Sequence, residues 1–208
     1  MKKITLLFCL LAVTFGYSQQ VVLEDFEGPA PTINFYDGAN SANVIADTQG
    51  SNGQVLELIT NTAGNPWQGT QLVFQGDYLD LSTTNKTVTV DVYSDVATSV
   101  LAKVDGAQGT GAPSATDDNH EGTGWETLTF DFNVGRDNTG AASDVYNSII
   151  FYPAWNNLND TCTNGCYDPG SQNNTPAITI WVDNITGLAA VPAETCNDNL
   201  DGKGCYVV

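Results

Sequence analysis

Beyond Gln19 the chain alternates short apolar–polar runs with clusters of Gly, Asn, Asp and Thr. Val88, Val90 and Val92 fall on one side of an extended run, and Thr87, Thr89 and Asp91 on the other. Leu128, Phe130 and Phe132 oppose Thr127, Thr129 and Asp131 in the same way. Successive side chains of a strand point to opposite faces, so a period of two with polar outer positions predicts half-buried antiparallel strands. The pattern predicts strands at Val21–Asp25, Ala42–Ala46, Val55–Thr60, Thr70–Phe74, Thr87–Tyr93, Ser99–Val104, Trp125–Phe132, Ser148–Tyr152 and Ala177–Asn184. No stretch carries a helical period. Short strands punctuated by turn residues predict an all-β fold: two packed antiparallel sheets, a β-sandwich or jelly roll.

The sandwich is expected to span 19–188, and both flanks differ from it in pattern. Residues 1–18 read as an export signal: Lys2 and Lys3 precede the apolar run Ile4–Phe15, and Gly16 and Ser18 place small side chains before a cut at Gln19. That run is shorter than the about 20 residues needed to span a bilayer, so a secreted protein is expected, with no membrane insertion. Residues 189–208 read as a short linker, Ala189–Ala193, and a tail bounded by Cys196 and Cys205. Asn197, Asn199, Asp201 and Gly202 in that tail are spaced loosely like a calcium loop, but the later glutamate is missing.

Charge narrows the partners. Once the signal is removed, the only basic residues are Lys86, Lys103, Arg136 and Lys203, set against 24 Asp and Glu. Such a chain repels phosphate backbones and anionic headgroups, which argues against nucleic-acid and membrane-surface binding. The acidity serves solubility, and a few of its carboxylates could supply oxygen ligands to calcium. Four cysteines remain in two close pairs, Cys162 with Cys166 and Cys196 with Cys205, and an even count outside the cell reads as disulfides. His120 is the only histidine, so a zinc site is not expected.

The sequence holds no Gly-x-Ser-x-Gly elbow, no His-Glu-x-x-His and no phosphate-cradling glycine loop. His120 lies in Asp117-Asp118-Asn119-His120-Glu121, which reads as a polar, solvated loop. The expectation is a binding domain rather than an enzyme. Its candidate chemistry is aromatic: the apolar face of a pyranose stacks on an indole while amides and carboxylates take the hydroxyls. Trp67 shares strand parity with Gln71 and points away from Leu72 and Phe74, and Trp155 sits in an amide-rich loop after Tyr152. Trp125 and Trp181 share parity with outer threonines and read as structural.

These residues, taken in order, form a recognisable series. Asp25-Phe26-Glu27-Gly28, Asn52-Gly53-Gln54-Val55-Leu56, Asn65-Pro66-Trp67, Trp125-Glu126-Thr127-Leu128-Thr129-Phe130 and Ile180-Trp181-Val182-Asp183-Asn184-Ile185 resemble the calcium-containing jelly-roll carbohydrate-binding modules that bind xylan and β-glucan. The general style is similar to secreted glycan-handling proteins of marine Bacteroidetes. The resemblance covers about Val21 to Leu188. It implies a structural calcium held by Asp25, Glu27 and Asp183, with the Gln54 carbonyl as a further ligand. It also implies Trp67 as a sugar platform and Ile150 or Tyr152 on a neighbouring strand. The segment 156–176, with its cysteine ring, is unusual for that family.

Together these readings predict a non-catalytic module that binds an extracellular polysaccharide through Trp67, Gln68, Gln71, Tyr152 and Trp155. The alternative is a structural or adhesive sandwich that engages protein neighbours in a surface assembly, using its outward threonines and a free sheet edge.

Overall fold

The computed structural model describes residues 19–38, 41–65, 67–155, 157, 161–163, 165–166 and 177–190. Residues 1–18, read as an export signal, together with Pro66, Cys196, Cys205 and the tail between them, lie outside the described residues. Twelve strands and no helix are found among the described residues: β1 (Gln20–Glu24), β2 (Thr32–Tyr36), β3 (Ser41–Ala46), β4 (Gln54–Ile59), β5 (Gly69–Val73), β6 (Tyr78–Asp80), β7 (Thr87–Ser94), β8 (Thr98–Ala107), β9 (Ser114–His120), β10 (Gly124–Asp131), β11 (Val145–Trp155) and β12 (Thr179–Ala190). Accordingly, no helix there is long and apolar enough to cross a membrane.

All pairings are antiparallel, as the period of two predicts. The first sheet runs β3–β4–β12–β7–β10, and β1 pairs the second half of β12. The second runs β2–β5–β11–β8–β9. Short β6 pairs β11 at Val145 and Tyr146 and β12 at Ala189 and Ala190, which joins the two sheets at one corner. The last strand therefore includes the first two residues of the expected linker.

The inner faces follow the sequence pattern closely. Leu56, Leu58, Val88, Val90, Val92, Leu128, Phe130, Ile180 and Val182 from the first sheet meet Leu72, Val100, Ala102, Val104, Ile149 and Phe151 from the second in one buried core. Phe130 and Phe151 touch across it, with ring centroids 6.3 Å apart.

Three strands were not expected. β2, an edge strand, and short β6, set between β11 and β12, owe their pairing to β5, β11 and β12 rather than to a pattern of their own. β9 corrects the reading of 117–121 as a solvated loop. Asp117, Asp118, Asn119 and His120 form a strand against β8, and His120 is fully buried. Its polar atoms are satisfied internally, which is what allows a polar strand to be buried. His120 Nδ1 accepts from the Gly122 amide at 2.8 Å, and Nε2 lies 3.1 and 2.9 Å from the Val92 and Gly124 carbonyls. Those contacts make Nδ1 the accepting and Nε2 the donating nitrogen.

Replacing Phe151 by alanine removes an aromatic ring from between the sheets. Phe151→Ala should lower stability by about 3–5 kcal/mol, read as a lower urea midpoint with little change in slope.

Candidate functional site

Outward-facing positions of the second sheet fall into register-matched rows. Asn34 of β2, Gln71 of β5, Ile150 of β11 and Lys103 of β8 lie side by side. In the neighbouring row Tyr36 stands beside Gly69, and Tyr152 stands beside Leu101. Gly69 is required there, because a Cβ on it would lie 2.7 Å from the Tyr152 ring; the ring packs over the bare backbone.

Hydrogen bonds tie these rows together. Gln71 Oε1 accepts from the Tyr36 hydroxyl at 2.9 Å and from Asn34 Nδ2 at 3.0 Å. Its Nε2 donates to Ser148 Oγ at 3.0 Å, and Ser148 donates onward to the Asp105 carbonyl at 3.1 Å. Tyr152 has its phenol pushed well above the ordinary value, first by burial and then by Tyr36, Asp137, Asp37 and Asp105. It therefore stays neutral and can donate at any physiological pH.

Trp67 stands two residues before Gly69, 40% exposed, on the connection between β4 and β5. That connection is rigidly built. Gln68 is 1% exposed; its Oε1 accepts from the Asn61 amide at 2.6 Å, and its Nε2 donates to the Asn61 and Asn65 carbonyls. The Asn65 amide donates to the Asp37 carbonyl at 3.1 Å, docking the loop against the turn after β2. Gln68 thus holds the loop and has no amide left to offer a sugar.

Trp155 also stands elsewhere than its sequence suggested. It ends β11 at 2% exposure, and its indole Nε1 donates to Asp117 Oδ2 at 2.8 Å. A bulge between Tyr152 and Trp155 brings both rings to the same sheet face, where simple parity would oppose them. There Trp155 packs with Leu101, Ala115 and Cys166, flanked by Tyr152 and Cys162. The expected Cys162–Cys166 disulfide is present, and the Cys162 amide donates to Asn157 Oδ1 at 2.9 Å. Asp117 also accepts from Asn157 Nδ2, and from Arg136 Nε at 2.8 Å. As placed, Trp155 offers no open ring face; it anchors the disulfide ring over the β8–β9 side of the sheet.

The expected calcium ligands gather at a different corner. Phe26 takes φ = 56°, and its ring enters the core while Asp25 and Glu27 remain outside. Asn184 takes φ = 48° beside a register shift in β12. Two non-glycine residues in the left-handed region at one corner mark a locally imposed geometry. Asp183 is 2% exposed, and burial pushes its carboxyl up to about 6, aided by Asp91, Asp25 and Glu27 against the Asn184 amide. The Gln54 backbone amide donates to Glu27 Oε1. The donors are hard oxygens of the kind calcium takes, and the crowded negative charge suits a dication. Among the described residues, however, no three acidic, histidine or cysteine groups stand close enough to share an ion.

No family model matches the chain, and no curated protein does. Among solved structures it is similar to a family 11 carbohydrate-binding module from Clostridium thermocellum in complex with a β-1,3-1,4-mixed-linked tetrasaccharide. That match has 16% identity over 83% of this chain and 96% of the other, with a TM-score of 0.49. It is similar also to a C-terminal family 22 carbohydrate-binding module of Clostridium thermocellum, at 14% identity over 81% and 93% with a TM-score of 0.40. A family 29 carbohydrate-binding module from Piromyces equi matches at 12% identity over 81% and 88%, with a TM-score of 0.38. At such identities the functional reading rests on this chain's own residues.

Proposed function

We propose that this chain is a non-catalytic, secreted module that binds a β-glucan or xylan-like polysaccharide on the outer face of its second sheet. The observation that carries the reading is the exposed Trp67 beside a face where Tyr36, Asn34, Gln71 and Tyr152 are already positioned by one another. Trp67 and Tyr36, 40% and 36% exposed, offer ring faces to pyranose C–H groups. Gln71, Asn34 and the neutral Tyr152 phenol offer hydrogen bonds to hydroxyls. Binding to a preorganised face loses less side-chain entropy.

An aromatic side chain carries about 150–250 Å², and stacking covers about half. At about 25 cal/mol per Å² each ring contributes about 2–3 kcal/mol before the costs of association. Two rings and a few hydrogen bonds give dissociation constants of about 10 μM to 1 mM, enough for a polymer that offers many sites.

Affinity electrophoresis on laminarin, xylan and mixed-linkage glucan tests this directly. At least one polymer should retard the native chain, and Trp67→Ala should weaken that binding by roughly tenfold or more. Equal retardation of the two would remove Trp67 from the site. Trp155→Phe, which keeps the buried ring, should leave retardation unchanged.

We also propose that calcium is held by Asp25, Glu27 and Asp183, which must close on the ion from the spacing they have here, since no three such groups among the described residues stand close enough to share one. Support comes from the buried Asp183 carboxyl, which feels the charge of Asp91, Asp25 and Glu27, and from hard oxygen donors at a corner of imposed backbone geometry. A bound dication stabilises the folded state by mass action. Chelator should lower the melting temperature and excess calcium should restore it. Asp183→Asn should be the more stable form in chelator and the less stable form in calcium, because it removes both the buried charge and the ligand. A melting temperature indifferent to calcium in the native chain would end the proposal.

A further inference from the structure

The outer face of the first sheet carries a second aromatic arrangement, one the platform on the second sheet does not use. Register aligns Asn43, Glu57, Trp181, Tyr93 and Trp125 in one row across β3, β4, β12, β7 and β10. Tyr93 lies between the two indoles. Its centroid is 5.2 Å from that of Trp181, with planes 31° apart, and 5.7 Å from that of Trp125, which meets it edge-on at 62°. Two of the three polar handles of this stack are tied to carboxylates: Trp181 Nε1 donates to Glu57 Oε2 at 3.2 Å, and the Tyr93 hydroxyl donates to Asp95 Oδ1 at 2.6 Å, whereas Trp125 Nε1 is buried without a hydrogen-bond partner. Each carboxylate thus commits one oxygen to fixing a ring, and the second oxygen has no hydrogen bond among the described residues.

A cavity of about 250 Å³ opens against this arrangement, lined by Tyr93, Trp181, Glu57 and Asp95, with Gln49 and Val96 at its side. Its volume lies below the about 300–1,000 Å³ usual for sites that enclose larger ligands, so it suits one ring and not a length of chain. No lysine or arginine lines it, and its polar groups are chiefly acceptors. An occupant must therefore bring hydroxyl donors and no negative charge, since like charges set face to face cost several kcal/mol. An apolar ring face with hydroxyl donors around it describes a neutral sugar.

We propose that this cavity is a second carbohydrate site, taking a single neutral pyranose ring, such as a chain end or branch, against Tyr93 and the edge of Trp181. The inference stands independently of the platform around Trp67. Because the two sites lie on opposite outer faces, one molecule with both occupied would bridge two chains.

Four tryptophans give four indole N–H signals, which makes the test direct. The 15N-labelled chain, with signals assigned through Trp67→Phe, Trp125→Phe and Trp155→Phe and the fourth by difference, is titrated with methyl β-glucoside, methyl β-xyloside, methyl β-galactoside and glucuronate. The expected result is a saturable shift of the Trp181 signal with at least one neutral glycoside and none with glucuronate. Val96 is 50% exposed at the cavity's side, so Val96→Arg should fold normally and fill the opening. In that variant the Trp181 shift should disappear while any Trp67 shift persists. A Trp181 signal unmoved by all three neutral probes would overturn the proposal. So would a shift that survives Val96→Arg at an unchanged melting temperature, or one that glucuronate produces equally. A moving Trp181 beside a stationary Trp67 would count against the platform on the second sheet and leave this site standing.

Discussion

Pairing along the full length of β12 is the interaction on which both outer faces depend. Its first half is held between β4 and β7, its second half takes β1, and its end meets β6, which also pairs β11. One strand thereby fixes the register of the first sheet and ties it to the second. Antiparallel register is all-or-none: a slip of one residue would carry Trp181 and Asp183 into the core and Ile180 and Val182 into water. The buried row of Ile180 and Val182 is what prevents that slip.

With register fixed, the outer faces become platforms that need little further construction. On the second sheet, small or planar side chains allow the organisation. Gly69 lets the Tyr152 ring lie on the backbone, and Gln71 bridges three strands with one amide. On the first sheet, large rings stack across strands and lean on carboxylates. Both faces are rigid because each group that could contact a ligand is already held by a neighbour. A face held in this way would lose little side-chain entropy on binding.

Departures from regular strand geometry occur where chemistry is concentrated. The bulge after Tyr152 turns Trp155 to the outer face, and Asp117 gathers its indole, Asn157 and Arg136 around one carboxylate. The register shift in β12 at Asn184 and the left-handed Phe26 bring Asp183, Asp25 and Glu27 to a shared corner. Regular strands supply the core, and their irregularities aim the polar groups.

The sequence by itself determined the all-β class, the antiparallel pairing and the identity of the core. Each of these is written into a period of two that local geometry must obey, as in Val88–Val92 and Leu128–Phe132. It also pointed to Trp67 and Gln71 by parity, and to Ile150 or Tyr152 through a family resemblance. It did not reveal β9, because burial of His120 is permitted only by the carbonyls of Val92 in β7 and Gly124 in β10 and by the Gly122 amide between β9 and β10. Nor did it reveal Tyr36, whose strand β2 exists through its pairing with β5. Gln68 and Trp155 were legible as an amide and an indole near a loop; whether they faced ligand or interior was settled by Asn61, Asn65 and Asp117, partners up to tens of residues away. Tertiary structure alone decided which polar groups are already spent on the protein itself, because hydrogen-bond satisfaction depends on neighbours in space and leaves no period in the chain.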